Sequence, residues 1–188
     1  MGKHAVIVVD MLKDNLESEE HFGIAQEGRK IIPRIQVLLE IARTLGIPVI
    51  YACDSFLPGD FIFRGRMKPH SLRGTEGAKV IDELAPRPGD MILEKRRMSS
   101  FFKTDLDLTL NTLGVETILV TGIATPVCVL LTAMDGLSHG FKAVIVEDCA
   151  AAHKPEIHGA TLGLYRKTGM YPLLRIMKLD EILAEVKH

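Results

Sequence analysis

Apolar residues along the chain fall into two alternating kinds of segment. Short runs rich in Val, Ile and Leu, at Ala5 to Val9, Ile47 to Cys53, Met91 to Glu94, Val115 to Thr121 and Ala143 to Val146, predict strands buried in a sheet. Between them the period lengthens. Glu27 to Leu45 carries a helical stripe through Ile31, Ile35, Leu38, Leu39 and Ala42, and Gly46 supplies a stop. Ala78 to Leu84, Asp105 to Leu113 (closed by Gly114), Val127 to Leu137 and Ile157 to Tyr165 predict further helices; a weak strand around Tyr171 to Ile176 and a short helix from about Asp180 follow. Residues 11 to 25 and 55 to 74 hold no sustained period and read as loops. Strand followed by helix, repeated, predicts an α/β fold with a mostly parallel sheet and helices on both faces. No linker-like stretch divides the 188 residues, so one domain is expected.

In such a fold chemistry gathers outside the carboxyl ends of the strands. Asp10, Asp54, Lys95, the turn 122–128 and Asp148 all stand at predicted strand ends. Cys128 follows a strand-to-helix turn, where backbone amides favour a thiolate and can donate to a developing oxyanion. Asp10 is suited to accept the thiol proton, Lys95 to stabilise the sulfur anion, and the amides of Ala124 and Cys128 to form the oxyanion hole. Together they could cleave an amide through a thioester. Each residue also has a plainer reading. Cys128 could be a core thiol, Asp10 a turn cap, and Lys95 one of a solvated Lys95-Arg96-Arg97 cluster.

Composition narrows the field. With 24 acidic and 23 basic residues the formal charge is −1, and no basic stripe marks a nucleic-acid partner. Three cysteines, Cys53, Cys128 and Cys149, without a CxxC pair, suit reduced intracellular thiols. The apolar run at residues 5–9 stops at Asp10, too short for a signal core or membrane span, so a cytoplasmic protein with no membrane partner is expected.

Three segments, Val6-Ile7-Val8-Val9-Asp10-Met11, Leu93-Glu94-Lys95-Arg96 and Thr121-Gly122-Ile123-Ala124-Thr125-Pro126-Val127-Cys128-Val129, resemble those of the isochorismatase-like cysteine hydrolases, over roughly residues 4 to 183. The resemblance implies a three-layer α/β/α sandwich, a catalytic triad of Asp10, Lys95 and Cys128, a cis peptide at Ile123-Ala124 shaping the oxyanion hole, and assembly as a homodimer or homotetramer. In the nicotinamidases of this family an Asp-x-His pair and a later His hold a metal. Here Asp54-Ser55-Phe56 and His70 stand in those places, so Asp54 and His70 are the only donors. No cofactor is therefore expected, with a divalent metal such as zinc as the alternative.

The loop around Arg64, Arg66, Lys68 and Arg73 resembles the metal-independent branch typified by N-carbamoylsarcosine amidase. Its guanidinium groups could hold a substrate carboxylate. Asp54, Phe56, Arg64, Arg66 and His70 are the candidate substrate contacts. Phe22, Phe56, Phe61, Phe63, Phe101 and Phe102 could wall the cleft; His153 and His158 could reach an assembly interface. The expected activity is hydrolysis of an amide or ureido bond in a small carboxylated molecule. Nicotinamidase activity, enol-ether hydrolysis of the isochorismatase type and a non-catalytic binding protein are the alternatives.

Overall fold

A computed structural model describes residues 3–18, 23–166 and 168–186; Phe22 lies outside them. Six strands form one sheet in the order β3-β2-β1-β4-β5-β6: β1 Lys3–Val9, β2 Val49–Asp54, β3 Met91–Lys95, β4 Val115–Ile123, β5 Lys142–Ala151 and β6 Leu174–Met177. Every pairing is parallel. Helices α1 Lys13–Leu16, α2 Ile24–Lys30, α3 Ile32–Thr44, α4 Leu106–Thr112, α5 Leu130–Ser138, α6 Pro155–Tyr165 and α7 Leu179–Val186 connect and flank them.

Alternation along β1 divides the core. Val6 and Val8 pack with α1, α2, α3 and α7 through Leu16, Ile24, Ile35, Leu39, Leu179 and Ile182. Ala5, Ile7 and Val9 pack on the other face with α4, α5 and α6 through Leu106, Leu110, Leu130, Ala133 and Leu162. A parallel sheet leaves neither face to water, which is why its strands read as continuous apolar runs. The result is the three-layer α/β/α sandwich. Among the described residues no helix is long and apolar enough to cross a membrane.

The chain leaves β1 toward β2 on one side and returns as β4 on the other. The crevice at that reversal lies beyond Asp10 and the end of β4. Gly122 permits the approach, since a Cβ there would stand 2.1 Å from the Val9 carbonyl oxygen, and its φ is +97°. Asp10 itself has φ 53°, a left-handed conformation that Asp tolerates better than most residues.

Several predicted boundaries shift. The Glu27 to Leu45 stripe is two helices, because Pro33 at the start of α3 has no N–H to continue the preceding turn. The supposed loop 11–25 contains α1, which buries Asn15 and Leu16. Ala78 to Leu84 forms only the 3₁₀ turns Glu76–Ala78 and Asp82–Leu84. Asp148 is not at a strand end: the β4–β5 register jumps between Val120 and Gly122, and β5 runs on to Ala151. Its carboxylate binds Arg34 at 2.9 Å and the Leu179 amide at 2.8 Å, so it joins α3 to α7 instead of serving the crevice.

Candidate active site

Three adjacent strands deliver the polar groups. Val9 aligns with Ala52 and Asp54 with Lys95, so the residues closing β1, β2 and β3 emerge side by side. The Lys95 side chain is fully buried, its Nζ 2.8 Å from Asp10 Oδ2 and 2.5 Å from Asp54 Oδ1. The Asp54 amide donates to Asp10 Oδ1 at 2.9 Å, and Asn15 Nδ2 donates to the Asp10 carbonyl at 3.0 Å. Asp10 is therefore held through both carboxylate oxygens and its backbone.

Cys128 completes the group. One donor atom from each of Asp10, Asp54 and Cys128 lies within 4.8 Å of the others, so the sulfur stands beside both carboxylates. Cys128 is partly exposed, whereas Cys53 and Cys149 are buried. Burial pushes the Cys53 thiol up to about 12, the behaviour of an inert core thiol.

The electrostatics follow from burying one cation between two carboxylates. Burial works against the charge on Lys95, yet Asp10 and Asp54 overcome it and hold the ammonium pKa well above its usual value. Burial and then the Asp10 carboxylate push Asp54 up to about 7, with Lys95 opposing. Burial likewise raises Cys128 well above an ordinary thiol; Lys95 opposes this, and Asp10 and Asp54 add to it. The resting sulfur thus keeps its proton. Burial, together with the two carboxylates, therefore outweighs Lys95 at the sulfur.

The turn after β4 differs from a regular helix start. The Ile123-Ala124 peptide is cis, as expected, and Thr125–Val129 forms a π-helical turn before α5. The Ala124 carbonyl accepts from the amides of Val127 at 3.0 Å and Val129 at 3.2 Å.

The long loop divides its candidate contacts. Phe56, 2% exposed, stacks edge to face on Phe63 and on His70, with ring centroids 5.3 and 5.5 Å away. His70 is buried, with Nδ1 2.9 Å from the Lys68 carbonyl. Backbone bonds from the Phe56 amide to the Ser71 carbonyl and from the Arg73 amide to the Phe56 carbonyl tie the loop to the end of β2. Arg64 and Arg66 are exposed. Arg73 is engaged by Ser55 and Glu94, and Arg96 and Arg97 by Asp60. Lys95 is thus separated from its basic neighbours: they bind Asp60, while it points into the core.

Phe61 and Phe102 are exposed, which removes them from a closed cleft wall, and Phe101 stacks on His139 and Phe141. His153 is exposed, but His158 is half-buried with Nδ1 2.8 Å from Thr125 Oγ1. Sequence reasoning missed this contact, and with it Asn15 and Asp14, whose Oδ2 accepts the Ser71 amide at 2.7 Å. An Asp or Asn just after a strand was the only signal for the latter two.

Comparison with known proteins gives a consistent picture. The isochorismatase domain family matches residues 4–175. A ureidoacrylate amidohydrolase of Pantoea ananatis is 31% identical over 176 residues, spanning 81% of this chain and 70% of the relative. An isochorismatase-like hydrolase from Alkaliphilus metalliredigens superposes with a TM-score of 0.86 at 31% identity, covering 98% of this chain and 100% of that one. N-carbamoylsarcosine amidase from Thermoplasma acidophilum gives 0.81 at 32% identity, covering 95% and 97%.

Proposed function

The chain belongs to the isochorismatase family of hydrolases, and from that premise we propose that it cleaves a carbon–nitrogen bond of a small carboxylated ureido or amide substrate through a thioester on Cys128. The observation that carries this reading is the buried Lys95 ammonium between Asp10 and Asp54, with the Cys128 sulfur within 4.8 Å of an oxygen of each carboxylate.

Because the thiol is protonated at rest, its proton leaves as the attack occurs. Asp10 takes it while sulfur bonds to the carbonyl carbon. The Ala124 and Cys128 amides receive the oxyanion, and Lys95 offsets the charge that gathers between Asp10 and the sulfur. Asp10 then passes the proton to the leaving nitrogen, and the C–N bond breaks. Ammonia or an amine departs. A water, deprotonated by Asp10, attacks the thioester; the acid product leaves and the thiol regains its proton.

Two relatives bear on the substrate: one is named for ureidoacrylate and one for N-carbamoylsarcosine, both ureido compounds with a carboxylate. Arg64, Arg66 and Lys68 are exposed loop cations with no ion pair to a described carboxylate, and in this proposal the two guanidinium groups hold the substrate carboxylate.

The donor set does not suit a metal. Lys95 already lies against Asp10 and Asp54, so a cation bound there would meet an ammonium within coordination reach. Phe56, between Asp54 and His70 in the sequence, brings no donor. Metal-independent hydrolysis is therefore proposed. Exposed Phe102, Val127 and Leu131 near the Cys128 turn support assembly as a homodimer or homotetramer, which light scattering would read directly.

The test is ammonia release from chelator-treated enzyme with N-carbamoyl amino acids, ureidoacrylate, nicotinamide and simple carboxamides. Turnover confined to carboxylated ureido or amide compounds supports the proposal; preference for nicotinamide, restored by zinc, would overturn it.

A further inference from the structure

We infer that His158 is a positioning residue for this reaction: through Thr125 it fixes the turn that presents the oxyanion-binding amides. The inference rests on the reading of Cys128 as nucleophile. Thr125 is completely buried and lies directly between Ala124 and the segment leading to Cys128, and its Oγ1 is 2.8 Å from His158 Nδ1. Within the turn, the single Ala124 carbonyl serves two amides, those of Val127 and Val129. A π-helical turn has no regular i to i+4 ladder to hold it. The imidazole on α6 supplies a tie from outside the turn, joining it to another helix of that layer.

The surroundings suit a neutral ring. Burial lowers the His158 pKa, Glu147 of β5 opposes that shift, and Arg166 at the end of α6 adds to it; Glu147 and Arg166 also pair with each other. An uncharged imidazole has one N–H and one lone pair, so a hydroxyl can satisfy Nδ1 in either tautomer. Removing the ring leaves the buried Thr125 hydroxyl without that partner and frees the turn to shift. A displacement of about 1 Å in positioned groups costs on the order of 10²-fold in rate.

Two reagents isolate the effect. With 4-nitrophenyl acetate, the Cys128 sulfur bonds to the acetyl carbon through a tetrahedral oxyanion, 4-nitrophenolate leaves, and the thiol proton passes to Asp10. Iodoacetamide alkylates the same sulfur by displacing iodide, the thiol proton again passing to Asp10, with no carbonyl oxyanion. His158→Ala and Thr125→Val are expected to slow Cys128 acylation about tenfold or more while changing alkylation by less than about twofold. His158→Gln, which can restore a hydrogen bond, should recover part of the loss. The double variant should be no slower than the slower single one, because both substitutions remove one contact. Equal slowing of both reagents, no slowing, or additive losses would overturn the inference. A nitrophenolate burst that survives in Cys128→Ala would overturn the nucleophile reading and this inference with it; a Cys128-dependent burst indifferent to His158 overturns the inference alone.

Discussion

Replacing Lys95 with Met keeps a long apolar side chain and removes the ammonium from between two buried carboxylates. At 2.8 Å from Asp10 and 2.5 Å from Asp54, the two attractions amount to roughly 6 and 7 kcal/mol at an effective dielectric of about 20. Most of that offsets the cost of taking three charges out of water. Removing one partner from a buried ion pair typically costs about 3–5 kcal/mol, and that is the expected loss near neutral pH.

The loss should depend on pH in a definite direction. Asp54 is raised to about 7 in the folded protein, so its protonated form favours folding. That contribution is fully present below the unfolded carboxylate pKa of about 3.9 and is gone once pH passes about 7. Without the opposing Lys95 charge the folded pKa moves higher still, and Lys95→Met keeps losing stability above pH 7, where the parent has levelled off. At about 1.4 kcal/mol per pH unit, the gap should widen by about 2 kcal/mol between about pH 6 and about pH 8.5. Urea unfolding of both proteins at the two pH values measures it. A gap that is constant, or that narrows as pH rises, would refute the placement of a proton-hungry Asp54 beside Lys95.

Asp10→Asn keeps the shape of the residue and leaves Lys95 paired with Asp54, but it removes the proton acceptor; kcat should fall on the order of 10²–10⁴-fold with KM little changed, and a kcat close to the parent's would discard Asp10 as base. Gly122→Ala forces a Cβ to 2.1 Å from the Val9 carbonyl at φ +97°, so chemical denaturation should show a loss of about 3 kcal/mol or more; an unchanged midpoint would contradict the close approach of β1 and β4. Dialysis against a chelator should leave hydrolysis intact, because Lys95 lies where a metal would share the carboxylates; activity lost on chelation and recovered with zinc would reverse that conclusion.

The strand ends were legible in the sequence because buried parallel strands read as unbroken apolar runs, and the runs stop at Asp10, Asp54 and Lys95. The break at Pro33 was harder to see. Ile31, Ile32 and Ile35 are all buried, so the apolar stripe continues across a backbone that does not. The helix α1 escaped notice because it spans one turn and one of its two buried residues is Asn15, which carries no hydrophobic signal. Asp148 looked like a strand end until the β4–β5 register jump carried β5 past it. The protonation of Cys128 depends on its burial and on carboxylates brought from two strands, and the Thr125–His158 contact spans 33 residues of chain. Neither has a local pattern in the sequence.

The central claim is that the Cys128 sulfur forms the bond to the substrate carbonyl. The most direct test is the rate of ammonia release by Cys128→Ala on the substrate the parent cleaves best, with thermal unfolding confirming that the variant is folded. The account predicts a fall of at least about 10³-fold, to the uncatalysed background. A folded Cys128→Ala protein that turns over near the parent rate would contradict it.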